Sequence, residues 1–137
     1  MTPVGLTKDA GWQAGKRQTL PIGLEETWQL LLSPEGLATW LAPGLDELRA
    51  GEEYRAADGT VGEVRSLRTE DRIRVTWQPP ERDTAATLQV VVIPVKTGTT
   101  VNLHAEQLVD ALDRETMLER FTEVHARLRA AASGHAA

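Results

Sequence analysis

Apolar residues recur every three or four positions through the last long stretch of the chain, Asp110 to Ala132, at Met117, Leu118, Phe121, Val124 and Leu128. That spacing predicts an amphipathic helix with one buried face, roughly 35 Å long at 1.5 Å per residue. Asp110 is placed to cap its first turn, and Asp113 and Glu115 put negative charge near the positive end of the dipole. Arg127 and Arg129 sit in the last turn, and Gly134 is placed to stop the helix in a left-handed conformation.

Two shorter helical patterns lie near the start. Leu24 to Leu32 puts Leu24, Trp28, Leu31 and Leu32 on one face, with Glu25 and Glu26 in the first turn. Ser33-Pro34-Glu35 restarts a helix, because Ser33 caps and Pro34 suits the first helical position. Leu37, Trp40 and Leu41 form its apolar side, and Pro43-Gly44 ends it.

Elsewhere the period is two. Trp12 to Leu20 reads as a first strand of weak alternation, broken by Pro21-Ile22-Gly23. Glu52 to Ala57 and Thr60 to Leu67 flank Asp58-Gly59, a strong hairpin signal. Strict two-residue pairing would set Tyr54 opposite Glu63, and a bulge at Gly62 would shift that register. Arg72 to Gln78 alternates with Ile73, Val75 and Trp77 inward, until Pro79-Pro80 ends it. Ala85 to Val95 is β-branched, and Thr99 to Gln107 follows a turn at Thr97-Gly98, with Val101, Leu103 and Ala105 on one side. Met1 to Asp9 has little pattern and is expected to be loose.

Strands joined by short turns are antiparallel. One face of their sheet must be covered, and the long helix is the only element large enough. The predicted architecture is therefore α+β: a curved antiparallel sheet wrapped around a long C-terminal helix, with two short helices after the first strand closing one end. Such a grip leaves room for a cavity between helix and sheet. The expected organisation is a flexible segment over 1–11, one domain over 12–133 and a flexible tail over 134–137.

Composition narrows the function. The chain has 137 residues, enough for one core. It has no cysteine, which removes disulfides, thiol nucleophiles and cysteine metal sites. A net charge of −5 disfavours nucleic acid as a partner. No apolar run is long enough to span a membrane, and Met1 to Gly11 lacks the form of a secretory signal, so the expected location is cytoplasmic.

Several blocks, taken in order, resemble a known family. They are Glu25-Glu26-Thr27-Trp28-Gln29-Leu30-Leu31, Ser33-Pro34-Glu35-Gly36-Leu37-Ala38-Thr39-Trp40-Leu41, Gly59-Thr60-Val61-Gly62-Glu63-Val64, Ile73-Arg74-Val75-Thr76-Trp77 and Gly98-Thr99-Thr100-Val101-Asn102-Leu103-His104. They run from about Gln18 to Ala130. Their order resembles the START/Bet v 1-like (SRPBCC) helix-grip superfamily, and within it the bacterial proteins similar to the Hsp90 ATPase activator C-terminal domain. The resemblance implies a pocket-bearing domain without implying one activity, since the superfamily includes ligand binders, polyketide cyclases and co-chaperone domains. It brings no catalytic motif with it.

The candidate chemistry is sparse. Trp28, Trp40 and Trp77 fall on inward faces with Tyr54 nearby. They read as the lining of an aromatic cavity, or more plainly as core. Leu41, Ile73, Val75, Leu103, Met117 and Phe121 complete the candidate lining of a site for a hydrophobic small molecule, with Trp40 nearest the expected mouth. His104 and Glu106 share a strand face, as a general base and its carboxylate would, but in opposite phase to Val101, Leu103 and Ala105, which points them to solvent. His125 borders Phe121 and Leu128 and reads as packing. Arg65, Arg68, Arg72 and Arg74 cluster on one hairpin, either as a docking surface for a chaperone or other protein, or as a solvated face paired with Glu63, Glu70 or Asp71.

Three scattered histidines predict no metal site, and no phosphate-loop, dinucleotide or nucleophile-elbow motif occurs, so no cofactor is expected. A cyclase- or hydrolase-like enzyme would need an inward polar group, and only Tyr54 and Glu63 offer one. The expected assembly is a monomer or homodimer. The favoured reading is ligand binding between helix and sheet, with a docking module as the alternative.

Overall fold

Period-two alternation becomes one antiparallel sheet in the computed structural model, which describes residues 6–7 and 11–136, with side chains from 11 to 134. Its strands are β1 (Leu6–Thr7), β2 (Gly11–Leu20), β3 (Glu53–Arg55), β4 (Val61–Arg68), β5 (Arg72–Trp77), β6 (Ala86–Val95) and β7 (Gly98–Leu108). In space they run β1-β2-β7-β6-β5-β4-β3, so the first long strand pairs with the last across the whole chain. Between β2 and β3 come α1 (Leu24–Leu32) and α2 (Pro34–Trp40), and α3 (Ala111–Ala136) closes the chain. The α+β helix-grip architecture expected from the sequence is the one observed.

Register carries the inward rows straight across the sheet. Ile73 pairs with Val90 and Val90 with Leu103, while Val75 pairs with Leu88 and Leu88 with Ala105. All six are buried. Against these rows α3 lays Met117, Phe121, Val124, Leu128 and Ala132, each at most 4% exposed. At about 1.5–3 kcal/mol per fully buried large side chain, this stripe holds the helix to the sheet. The α3 start is capped reciprocally: the Asp113 N–H donates to Asp110 Oδ1 at 2.7 Å, and the Val109 N–H to Asp113 Oδ2 at 3.0 Å.

The corner between the short helices is built by one residue. Ser33 ends α1, its N–H donating to Gln29 O at 3.0 Å, and starts α2, its Oγ accepting from the Gly36 N–H at 3.0 Å. The corner aims the C-terminal end of α2 at the end of the sheet and the middle of α3.

Three details depart from expectation. The β3–β4 hairpin closes through Ala57-Asp58-Gly59, not Asp58-Gly59 alone, with Gly59 at a φ of +92° and the Ala56 N–H donating to Thr60 O at 2.8 Å. The extra residue shifts the register by one at the turn, so Tyr54 faces Gly62 instead of Glu63, and no bulge at Gly62 is needed. Gly62 has its own reason: a Cβ there would meet the Tyr54 ring at 2.7 Å. Second, α3 continues through Gly134 to Ala136. Gly134 stays helical and does not take the left-handed conformation, and a Cβ there would meet no atom within 4 Å. Third, Leu6–Thr7 pairs with Trp12 and Gly11 inside the segment expected to be loose. The rest of that segment, 1–5 and 8–10, lies outside the described residues, as does 137. Among the described residues no helix is long and apolar enough to cross a membrane.

Candidate functional site

The space between helix and sheet is filled. Trp40, Ile73, Val75, Leu103, Met117 and Phe121 are each at most 3% exposed. The void they leave, bordered by Trp40, Leu103, Phe121 and Val124, measures about 10 Å³. That is about the room of one water molecule. Trp28 is buried on α1. Tyr54 lies across Gly62 and donates its hydroxyl to Thr76 O at 2.5 Å, and burial pushes that hydroxyl's pKa well above its ordinary value.

Concave surface lies instead at the end of the grip. A groove of about 290 Å³ opens where the C-terminal end of α2, the β3–β4 turn, the end of β5 and the middle of α3 converge. Leu41, Ala42, Pro43, Trp77, Pro79 and Val124 give it apolar walls, and Asp58, Glu81 and Glu123 lie along it. Of the candidate lining residues, Leu41 and Trp77 border this groove, and Trp40 stands just behind it.

The groove's polar centre is Arg120, which borders both the groove and the inner void. Its Nη1 donates to Trp40 O at 3.0 Å and its Nη2 to Leu41 O at 3.2 Å, so it caps the end of α2. Its guanidinium carbon stands 4.9 Å from the Trp77 ring centroid, and Leu41 O also accepts from Trp77 Nε1 at 3.3 Å. Among the described residues no carboxylate lies within 4.0 Å of it, and burial pulls its pKa below the ordinary arginine value, against the charges of Asp58 and Glu123. A second guanidinium, Arg82, stands 5.6 Å from the same ring and pairs with Asp113 Oδ1 at 2.7 Å. Burial alone would raise the Asp113 carboxyl, but Arg82 and the Val109 N–H hold it below the usual range.

Sequence reading did not single out Arg120. The signal was there: Arg120 falls three residues after Met117 and four before Val124, on the edge of the apolar stripe. A cation at such a position must find partners other than water.

The remaining candidates lie elsewhere. Arg65, Arg68, Arg72 and Arg74 face carboxylates of this chain, at 3.9 Å to Glu63, 3.8 and 3.7 Å to Asp71, and 3.1 Å to Glu106. His104 and Glu106 sit on the outer sheet face with Nδ1 and Oε1 3.8 Å apart, and His104 Nε2 lies 2.8 Å from Gln13 Oε1. His104 also borders the small inner void beside Trp40, Leu103 and Phe121, but Glu106 does not. His125 is 5% exposed, and its Nε2 donates to Lys16 O at 2.8 Å. Two broad open depressions also occur, about 560 Å³ beside β3 and about 620 Å³ between α1 and the end of α3. Neither joins an aromatic wall to a half-buried cation, as the Trp77–Arg120 groove does.

A family model described as Activator of Hsp90 ATPase homolog 1-like protein matches residues 22–133. No curated protein matches the chain. Among solved structures, CV1439 from Chromobacterium violaceum superposes with a TM-score of 0.72 at 21% identity, over 88% of this chain and 96% of that one. CalU16 from Micromonospora echinospora does so at 0.74 and 15% identity, over 89% and 76%. DynU16, from the dynemicin biosynthetic locus, gives 0.74 at 15% identity over 86% of this chain, which spans 46% of that protein. Identities this low establish the shared fold alone. With the family model covering β3 to β7, both short helices and nearly all of α3, the chain belongs to the Activator of Hsp90 ATPase homolog 1-like family and carries the START/Bet v 1-like (SRPBCC) helix-grip fold.

Proposed function

We propose that the chain is a small-molecule-binding domain whose ligand sits in the groove at the mouth of the grip, over Trp77 and against Arg120. The observation that carries this reading is the concentration of polar and aromatic groups where space exists: about 290 Å³ at the mouth against about 10 Å³ between helix and sheet. Binding sites pair apolar walls with a few fixed polar groups, and this groove has both. Its size suits a ligand at the small end of the usual range. The test uses prodan, an uncharged naphthalene whose emission reports a dry environment. Saturable binding to the wild type is expected. It should be lost in Ala38→Trp, which fills the groove from an exposed position of α2 and should leave the thermal midpoint unchanged. Equal binding to both proteins would sink the assignment.

A docking module is the second reading, and the family's description makes a chaperone its natural partner. It has less physical support, because each arginine of the β4–β5 hairpin already faces a carboxylate of this chain. Reversing the charge of Arg72 and Arg74 discriminates: partner capture should fail under this reading, with prodan binding untouched. An enzyme has least support, since the Tyr54 hydroxyl is committed to Thr76 O and Glu63 faces Arg65.

A further inference from the structure

We infer that the ligand of the mouth groove is an apolar monocarboxylate whose carboxyl group is anchored by Arg120, an inference that rests on the groove being the binding site. Arginine carries five N–H donors. Arg120 spends two on Trp40 O and Leu41 O, and the others have no acceptor among the described residues. Those two bonds and the stack on Trp77 hold the guanidinium plane still, so little side-chain freedom is left to lose when an anion arrives.

The charge also lacks a counterion. Asp58 and Glu123 are the nearest acids to act on it, but Asp58 Oδ1 accepts the Thr60 N–H at 2.9 Å and Glu123 Oε1 takes Arg127 at 2.7 Å. Among the described residues four other arginines also lack a carboxylate within 4.0 Å: Arg17, Arg55 and Arg129 stand exposed to water, and Arg114, half-buried like Arg120, donates to Gln13 O at 2.8 Å and does not border the groove. A half-buried guanidinium without a counterion is left under-compensated, and burial lowers its pKa accordingly. A carboxylate from the groove side supplies the missing charge and matches the donor fork.

The rim sets the second half of the specificity. Asp58, Glu81 and Glu123 line the groove with Arg120 and Arg127; Glu123 is paired with Arg127, which leaves two carboxylates beside one unpaired cation. Their field tolerates a single negative charge on Arg120 and opposes a phosphate dianion. Leu41, Pro43, Trp77 and Pro79 then bury the apolar body of the ligand.

The experiment titrates the full chain with three naphthalenes of one shape, naphthoate, naphthamide and naphthylmethylammonium, following the indole N–H resonance of Trp77. Naphthoate should bind about tenfold tighter than naphthamide, as a charge-assisted pair exceeds a neutral one. The ammonium should bind weakest, and inorganic phosphate should not compete. Arg120→Met should bring naphthoate to within about twofold of the amide, and Arg120→Lys should restore part of the gap. Equal affinity for acid and amide in the wild type overturns the carboxylate anchor and leaves the groove as the site. So does an acid preference that survives in Arg120→Met. If none of the three moves the Trp77 resonance, both the anchor and the groove reading fall. Should Arg120→Met not fold, the wild-type series and Arg120→Lys decide.

Discussion

Replacing Arg120 by Met keeps most of the stem and removes the guanidinium, which tests whether α2, β5 and α3 are tied together through it. The variant loses two N–H donations, to Trp40 O at 3.0 Å and Leu41 O at 3.2 Å, and the stack on Trp77 at 4.9 Å. Bonds from a charged donor are worth roughly 1.5–3 kcal/mol each, and the stack about 0.5–2. Two effects oppose this. Removing a half-buried charge removes its desolvation cost, which is of several kcal/mol. The freed carbonyls border the groove, where water can reach them, and Leu41 O keeps its bond from Trp77 Nε1. The net loss should be about 1–2 kcal/mol. For a chain of 137 residues the unfolding entropy is about 0.29 kcal/mol/K, so the thermal midpoint should fall roughly 3–7 °C. Calorimetry of the wild type, Arg120→Met, Trp77→Leu and the double variant gives the coupling as well, expected at about 0.5–1.5 kcal/mol. A variant as stable as the wild type, with coupling within about 0.3 kcal/mol of zero, would refute the reasoning. The guanidinium would then not be held in place, and the preorganised anchor would go with it.

Three further outcomes follow from the packing and from one buried histidine. Phe121→Ala should cost about 3–5 kcal/mol in urea denaturation, because the grip around it is solid; a cost under about 1.5 would mean the helix–sheet space is loosely filled. Gly62→Ala should cost about 1–3 kcal/mol, since its Cβ would overlap Thr76 O and press on the Tyr54 ring, and a thermal midpoint equal to the wild type's would deny that contact. The His125 pKa is lowered, chiefly by burial and further by the Lys16 charge, against its bond to Lys16 O. The unfolded state therefore takes up its proton first, and stability falls as pH drops below about 6.5 toward the folded-state pKa. His104 is shifted the same way, so His125→Leu should show a smaller loss than the wild type between pH 7 and 5, and identical losses would rule His125 out.

Local patterning along the chain determined most of this architecture. The three-and-four spacing from Met117 to Leu128 specified α3 and its buried face, and Ser33-Pro34 specified the corner between α1 and α2, because a cap and a fixed φ act within a few residues. Alternation in Arg72 to Trp77 gave the inward row of β5 correctly, since a strand has only two faces. Two short-range signals failed: Asp58-Gly59 located the hairpin but missed its three-residue loop by one residue, and Gly134 did not stop α3, which runs on to Ala136. The site was decided by tertiary structure alone. Whether Trp40 and Phe121 line a cavity or fill a core depends on how rows from β5, β6, β7 and α3 interlock, and that volume has no signature along the chain. Arg120 meets Trp40 O, Leu41 O and Trp77 only because α2, β5 and α3 converge across some 80 residues of sequence. Periodicity assigns a side chain to a face, but the partners it finds there are set by packing between elements distant in the chain.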